Sequence, residues 1–545
     1  MDVSLLTLIL VISYLIILGL LAYQGYRGTK TATDYLVAGR KIHPFVMAMS
    51  YGATFISTSA IVGFGGAAAM FGMGLLWLTF LNIFVGILIA FVFLGSRTRA
   101  MGHHLNAHTF PELLGKRYHS RFLQVFAGCV IILFMPLYTS VVSMGAAKVI
   151  EVHLQTRYEV ALFFFVAIVA LYVTMGGLKG VMYTDALQGG IMFVGMIILL
   201  ILTYVKLGGF IDAHQQLTNL APEAQKLFGG AGHRGWTAMP TFGSPFWWIL
   251  VSSIIMGVGI GVLAQPQLAV RYMTVRSRRE LNRAVLIGGI FILAMTGIAF
   301  VVGALSNVFF FDDPKYGKIA FLAADKSIGN IIPLFINEYM PTWLGSIIVV
   351  TLLAAAMSTV SSQFHAMGSA AGRDVYEACS GTAASNERSI LATRIGIILT
   401  LLVSFALAYI LPIYFEGTGT AIIARGTAIF FGLCAATFLP MYVGALYSKG
   451  ITKAGAISGG LVGFLVSAFW LLFIHQKESE ALQICNLLFD KPSLTAGIKH
   501  GFIIWSEVDP LFVAFPLAIV TTIVVSLFTK TFSKEHVDNC FASLR

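Results

Sequence analysis

Long apolar stretches separated by short polar joints run along almost the whole chain. Thirteen of them approach or exceed the length of a bilayer crossing: roughly 3–24, 43–71, 73–96, 121–147, 157–176, 181–205, 244–269, 283–307, 343–371, 390–413, 420–447, 454–474 and 510–529. About 20 apolar residues in a helix cross the hydrocarbon core. The runs are continuous, not the alternating segments of about ten residues that a membrane barrel needs. Lipid leaves no partner for an unpaired backbone group, so the predicted fold class is an all-α integral membrane protein. The run 3–24 is too long for a signal peptide and lacks a basic leader, so it is read as a span. The stretch NIIPLFINEYMP, between the eighth and ninth spans, has the look of a short surface helix.

Composition agrees: of 545 residues, 58% are hydrophobic and 11% charged. The net charge of +11 reads as positive cytoplasmic loops, not as a nucleic-acid surface. With the N-terminus outside, inner loops and the C-terminal tail hold 23 of the 35 Lys and Arg residues. Arg271 is counted among these inner-loop charges. Most of the outer ones sit in long loops, which count for less. Thirteen spans with the N-terminus out place the C-terminus in. Arg425 falls inside the eleventh span, near its outer end, where it either draws anions or snorkels to the interface. The five cysteines form no CxxC pair, and neither a disulfide framework nor a zinc site is expected. His103, His104 and His108 share an inner loop without a zinc spacing.

Two spans carry signs of a break. The second reads AMSYGATFISTSAIVGFGGAAAMFGMG, and the seventh reads SSIIMGVGIGVLAQPQLAVRY. Glycine weakens a helix, and proline removes a backbone donor. Interrupted spans at matching positions in two halves point to an inverted-repeat transporter with its site at the breaks. The plainer alternative is close helix packing through small residues.

The ninth span contains AAAMSTVSSQF, in which Ser358, Thr359, Ser361 and Ser362 fall within about 160° of arc on a helix. Sodium is a hard cation, and hydroxyls together with carbonyls freed at a break can ligate it. The alternative is that each hydroxyl bonds back to its own helix. Asp185, in GGLKGVMYTDALQGG, lies just inside the sixth span. A carboxylate there either caps the helix start or serves a function.

Taken with these blocks, ATFISTSAIVGFGG and AQPQLAVRYM complete a pattern that resembles the sodium:solute symporter family, in a bacterial or archaeal member. The resemblance implies a LeuT-type core of five plus five inverted helices, with about 13 transmembrane helices in all. It implies one transporter domain over 1–545: an extra helix at 3–24, the core at 43–447 and two C-terminal helices at 454–529. By alignment with the family, a first sodium would be held by the carbonyls of Ala53, Ile56 and Ala355 and the hydroxyls of Ser358 and Thr359. A second, deeper sodium would use Asp185, Ser361 and Ser362. The substrate would lie at the breaks, against Ser57, Thr58 and Ser59, with Tyr138, Thr139, Val258, Val262 and Gln265 completing the pocket.

Hydroxyls beside the freed N–H groups of a half-helix suit a carboxylate. The chain departs from the sugar branch, and it has Phe55 where the proline branch has an aspartate. The expectation is therefore a sodium-coupled symporter in the cell membrane that imports a small organic solute by alternating access. A monocarboxylate such as acetate, lactate, pyruvate or propionate comes first. An amino acid such as proline, or pantothenate, is the alternative; a channel, uniporter or transport-linked sensor is more remote. No enzyme motif is found among GxSxG, HExxH and Walker patterns. The partners implied are the solute, the lipid bilayer and two sodium ions, with no other cofactor and no nucleic acid.

Overall fold

A computed structural model describes residues 5–380, 385–414, 419–498 and 501–544, apart from the side chains of 413–426, 428 and 481. Arg425 lies outside the described side chains. Among the described residues all regular structure is helical. The principal helices are α1 (Leu5–Arg27), α2 (Pro44–Phe55), α3 (Phe64–Phe71), α4 (Arg121–Leu154), α5 (Tyr158–Lys206), α6 (Arg278–Asp312), α7 (Thr342–Ser369), α8 (Asn386–Tyr414), α9 (Gly419–Tyr447), α10 (Lys453–Phe469) and α11 (Leu511–Phe528). The expected surface helix forms over Ile328–Tyr339.

Among the described residues, eleven continuous helical runs are long and apolar enough to cross a membrane. Two of them, of 46 and 49 residues, are long enough for two crossings. Each contains a turn at a glycine with positive φ, Gly72 at 75° and Gly177 at 55°. Left-handed backbone is cheap only for glycine, so these positions let the chain change direction without a loop. On either side of Gly177, α5 divides into segments that coincide with the expected fifth and sixth spans.

Burial separates inner from outer helices. In α7 and in the described part of α9, 89% of the apolar stretch is buried; in α1, α8, α10 and α11 the figure is 28%. Alanine, serine and threonine dominate the middle of α7 because neighbours crowd it from every side: it packs on α4, α5 and α8 and touches α1 and α2.

Both expected breaks are present. Helix α2 ends where Ile56 turns extended (φ −87°, ψ 94°), and helical backbone resumes at Ser59. The seventh span runs over Pro245–Ala264, opens at Gln265 (φ −74°, ψ 116°) and resumes at Pro266. It then continues as helix through Thr274. This corrects the expected end near 269: a broken span needs extra residues to finish its path, and Arg271 falls within it.

The outer half of the first broken span leans on α6 at backbone distance. A Cβ added to Gly303 would stand 2.0 Å from the Gly65 carbonyl oxygen. Gly303→Val should therefore lower the melting temperature in detergent, at a cost of about 1–3 kcal/mol from overpacking. Gly297→Ala, on the same helix with nothing within 4 Å of the new methyl, should not. Equal melting of the two variants would refute this close contact.

Candidate functional site

The break after Phe55 leaves carbonyls near the end of α2 without partners further along the helix. Helix α7 crosses at that point and offers hydroxyls to them. Ser358 Oγ donates to Ala53 O at 2.8 Å and to its own Ala355 O at 3.2 Å. Thr359 Oγ1 donates to Thr54 O at 3.0 Å. All of these side chains are buried. Of the five positions expected to hold a first sodium, Ala53, Ala355 and Ser358 are thus in direct contact. Thr359 meets the carbonyl next door, and Ile56 is the residue at which α2 ends.

One turn further along α7 lies a denser cluster. Asp185, on the second segment of α5, is fully buried. Its Oδ2 accepts from Ser50 Oγ at 2.7 Å and lies 3.3 Å from the hydroxyls of Thr54 and Ser362; Ser361 reaches Oδ1 at 3.4 Å. Asp185, Ser361 and Ser362 therefore meet as expected, and α2 adds two hydroxyls that were not foreseen. The capping alternative fails, because helical backbone runs on both sides of Asp185.

The centre of this cluster is a guanidinium. Arg271 Nη2 lies 2.9 Å from Asp185 Oδ2, 2.6 Å from Thr54 Oγ1 and 2.5 Å from Ser362 Oγ, while Nε donates to Ser50 Oγ at 2.9 Å. Nη1 reaches back to the Gln267 carbonyl. Both charged groups are fully buried. Arg271 was read as a loop charge. The available signal was its place five residues after Pro266, within the inner half of the broken span.

Around the first break the side chains leave a gap of about 20 Å³, walled by Phe55, Phe64, Val258, Phe300 and Phe431, with Ser57, Tyr138, Asn82, Thr296 and Thr427 as its polar groups. Ser57, Tyr138 and Val258 thus stand where expected. The other five predicted contacts point elsewhere. Thr58 donates to Leu352 O at 3.2 Å, and Thr139 bonds back to Met135 O at 2.9 Å. Ser59 Oγ is buried without a partner among the described residues. Val262 packs toward Gly86, and Gln265 donates to Gly261 O at 3.2 Å. Asn82 was missed; its Oδ1 is buried without a described hydrogen bond. An asparagine inside the apolar run LWLTFLNIF was the signal.

On the side expected to face the cytoplasm, ion pairs close the structure. Arg373, just beyond α7, lies 3.0 Å from Glu112 and 2.5 Å from Glu377, and Lys116 is 2.9 Å from Glu112. Against the penalty of burial, the bond from His108 and the charges of Arg373 and Lys116 hold the Glu112 carboxyl well below the usual carboxylate range. Among the described residues, no group of three or more His, Cys, Asp or Glu side chains could hold a metal ion, and the cysteines are free thiols. His365 is packed, with Nε2 at 2.9 Å from Tyr35 O.

The sequence profile described as "Sodium:solute symporter family" matches residues 35–463. The chain belongs to the sodium:solute symporter family. Among its relatives, "Sodium/proline symporter 2" of Staphylococcus saprophyticus is 27% identical, covering 96% of this chain and 93% of that protein. The "Sodium/proline symporter" of Staphylococcus aureus is also 27% identical, covering 87% of each. A solved Na+-coupled sialic acid symporter, in a substrate-bound outward-open state, aligns over 98% of this chain and 100% of its own with a TM-score of 0.75. At 18% identity that likeness concerns the fold, which is that of the LeuT-type transporters. As a family member, the chain is a multi-span membrane protein and a sodium-coupled transporter of small solutes, not an enzyme.

Proposed function

We propose that this symporter couples sodium entry to the uptake of a small amino acid, with proline the first to test. The observation that carries the coupling is the Ser358 hydroxyl bridging the Ala53 and Ala355 carbonyls across the break. These are oxygen ligands from two helices, held where a helix has opened. The set Ala53, Ile56, Ala355, Ser358 and Thr359 is the proposed first sodium site. Asp185, Ser361 and Ser362 are proposed as a second site that Arg271 and a sodium ion share in turn, because the guanidinium already answers the carboxylate's charge. The inverted-repeat core at 43–447, with the N-terminus outside, is the proposed frame.

Monocarboxylates were the first expectation, and the relatives' names give them no support. The sodium/proline names support the amino-acid alternative. The lining of the gap supports a small solute with an apolar body: aromatic rings wall it, and Ser57 sits at the break for a carboxylate. Uptake of labelled proline into proteoliposomes tests the proposal. An inward sodium gradient should drive accumulation that unlabelled proline suppresses and acetate, pyruvate and pantothenate do not. Uptake indifferent to sodium would point to a channel or uniporter. Sodium-driven uptake of labelled acetate without uptake of proline would restore the monocarboxylate reading.

A further inference from the structure

The central gap contains no carboxylate, yet an amino acid carries an ammonium group. Asp185 is already paired with Arg271, and a second buried acid comes from outside the core. Asp509, just before α11, is 4% exposed. Its backbone N–H donates to Ser252 Oγ at 3.2 Å, and its Oδ1 accepts the Leu511 N–H at 2.8 Å. Among the described residues, Oδ2 accepts no hydrogen bond. The carboxylate is wedged between two core helices. A Cβ at Gly257 would stand 3.3 Å from Oδ2, and one at Gly432 would stand 3.0 Å from Oδ1. A methyl group at either position would press on the carboxylate. The next residues on those helices, Val258 and Phe431, line the central gap.

Asp509 also borders a cavity of about 310 Å³, the size range of small-ligand pockets. Phe64, Phe71 and Phe246 form its apolar wall. Phe64 lines both this cavity and the central gap, so the two spaces share that ring as a wall. A carboxylate on a residue this buried is costly unless a cation or donor meets it, and Oδ2 is the oxygen left for one beside the cavity. An apolar wall opposite one such oxygen matches an ammonium group attached to an apolar body.

We propose that this cavity is an outer subsite for the transported amino acid, with the Asp509 carboxylate as counter-charge to its ammonium group and the three phenylalanines against its apolar body. The assignment rests on the amino-acid reading above and adds the residue that separates amino acids from plain monocarboxylates. Burial pushes the Asp509 carboxyl up to about 7; the Leu511 N–H bond and the charge of His475 act the other way. The other charged or titratable groups lining the cavity are His475, paired with Glu478, and Lys477 after α10, Glu507 in the same loop as Asp509, and Lys326 before the 328–339 helix. The described parts of α9 and of the 245–264 helix bring glycine, serine and apolar side chains. As pH falls through the Asp509 value the counter-charge weakens, while His475, which against its burial Glu478 and Asp509 hold above the usual imidazole value, gains charge beside it.

The test compares L-proline with N-acetyl-L-proline, which keeps the ring and carboxylate but lacks the ammonium group, as competitors of labelled proline uptake. In the wild-type protein N-acetylproline should compete at least tenfold more weakly. The half-saturating proline concentration should rise as the outer pH falls from 8 to 6. Asp509→Asn should raise it about tenfold at pH 8, flatten its pH dependence and leave the half-saturating sodium concentration unchanged; Asp509→Glu should retain part of the preference. If Asp509→Asn does not fold, shown by loss of its sodium-induced thermal shift, the wild-type pH profile and the N-acetylproline comparison decide. Proline uptake with equal competition by N-acetylproline, or with an Asp509→Asn profile matching wild type, overturns this subsite and leaves the proposed function standing. Sodium-driven acetate uptake without proline uptake overturns the proposed function itself.

Discussion

Arg271→Leu should destabilise the folded transporter by about 3–5 kcal/mol, the usual cost of stranding one partner of a buried ion pair. The variant leaves the Asp185 carboxylate at full burial with only hydroxyls around it. It also removes the donor to Ser50, Thr54 and Ser362. The double variant Asp185→Leu/Arg271→Leu should recover much of this loss, because no uncompensated charge remains; a double-mutant cycle measures the difference. Sodium should raise the melting temperature of Arg271→Leu more than that of wild type, since the ion can then take the guanidinium's place beside Asp185, Ser361 and Ser362. Thermal unfolding in sodium and in choline buffers is the measurement. An Arg271→Leu protein as stable as wild type, or one blind to sodium, would remove Arg271 from the proposed second site.

Ser358→Ala should raise the sodium concentration for half-maximal uptake by about tenfold or more, with a smaller effect on the proline requirement at saturating sodium. The hydroxyl touches both carbonyls that the proposed first ion would share, so its loss removes one oxygen ligand from that ion. A contact to a charged group is worth about 1.5–3 kcal/mol, and about 1.4 kcal/mol is a factor of ten. Thr139→Ala is the control, because that hydroxyl serves only its own helix. Matching sodium curves for Ser358→Ala and Thr139→Ala would contradict the proposed first site.

The all-helical membrane character and both breaks were legible because a lipid-spanning helix writes its length directly into composition, and glycine or proline marks where it opens. The four hydroxyls of α7 were legible for the same reason: polar atoms are conspicuous against leucine. What could not be read was which hydroxyls face a ligand and which are consumed by packing. Thr58 and Thr139 are the same residue type as Thr359, and only the neighbouring helix decides their partners. Arg271 was misplaced because charge counting assigns an arginine to the nearest loop, whereas a broken helix keeps it inside. Asp509 was passed over since its importance comes from glycines some 250 and 80 residues earlier in the chain.

The Arg271–Asp185 pair also bears on how the transporter responds to membrane potential. Moving one elementary charge through 100 mV is worth about 2.3 kcal/mol. A bare Asp185 would carry that work with it whenever the empty protein reoriented. Paired with a tethered cation it carries none, so the return of the unloaded form runs at a rate set by packing, and the electrical driving force acts on the steps in which sodium enters.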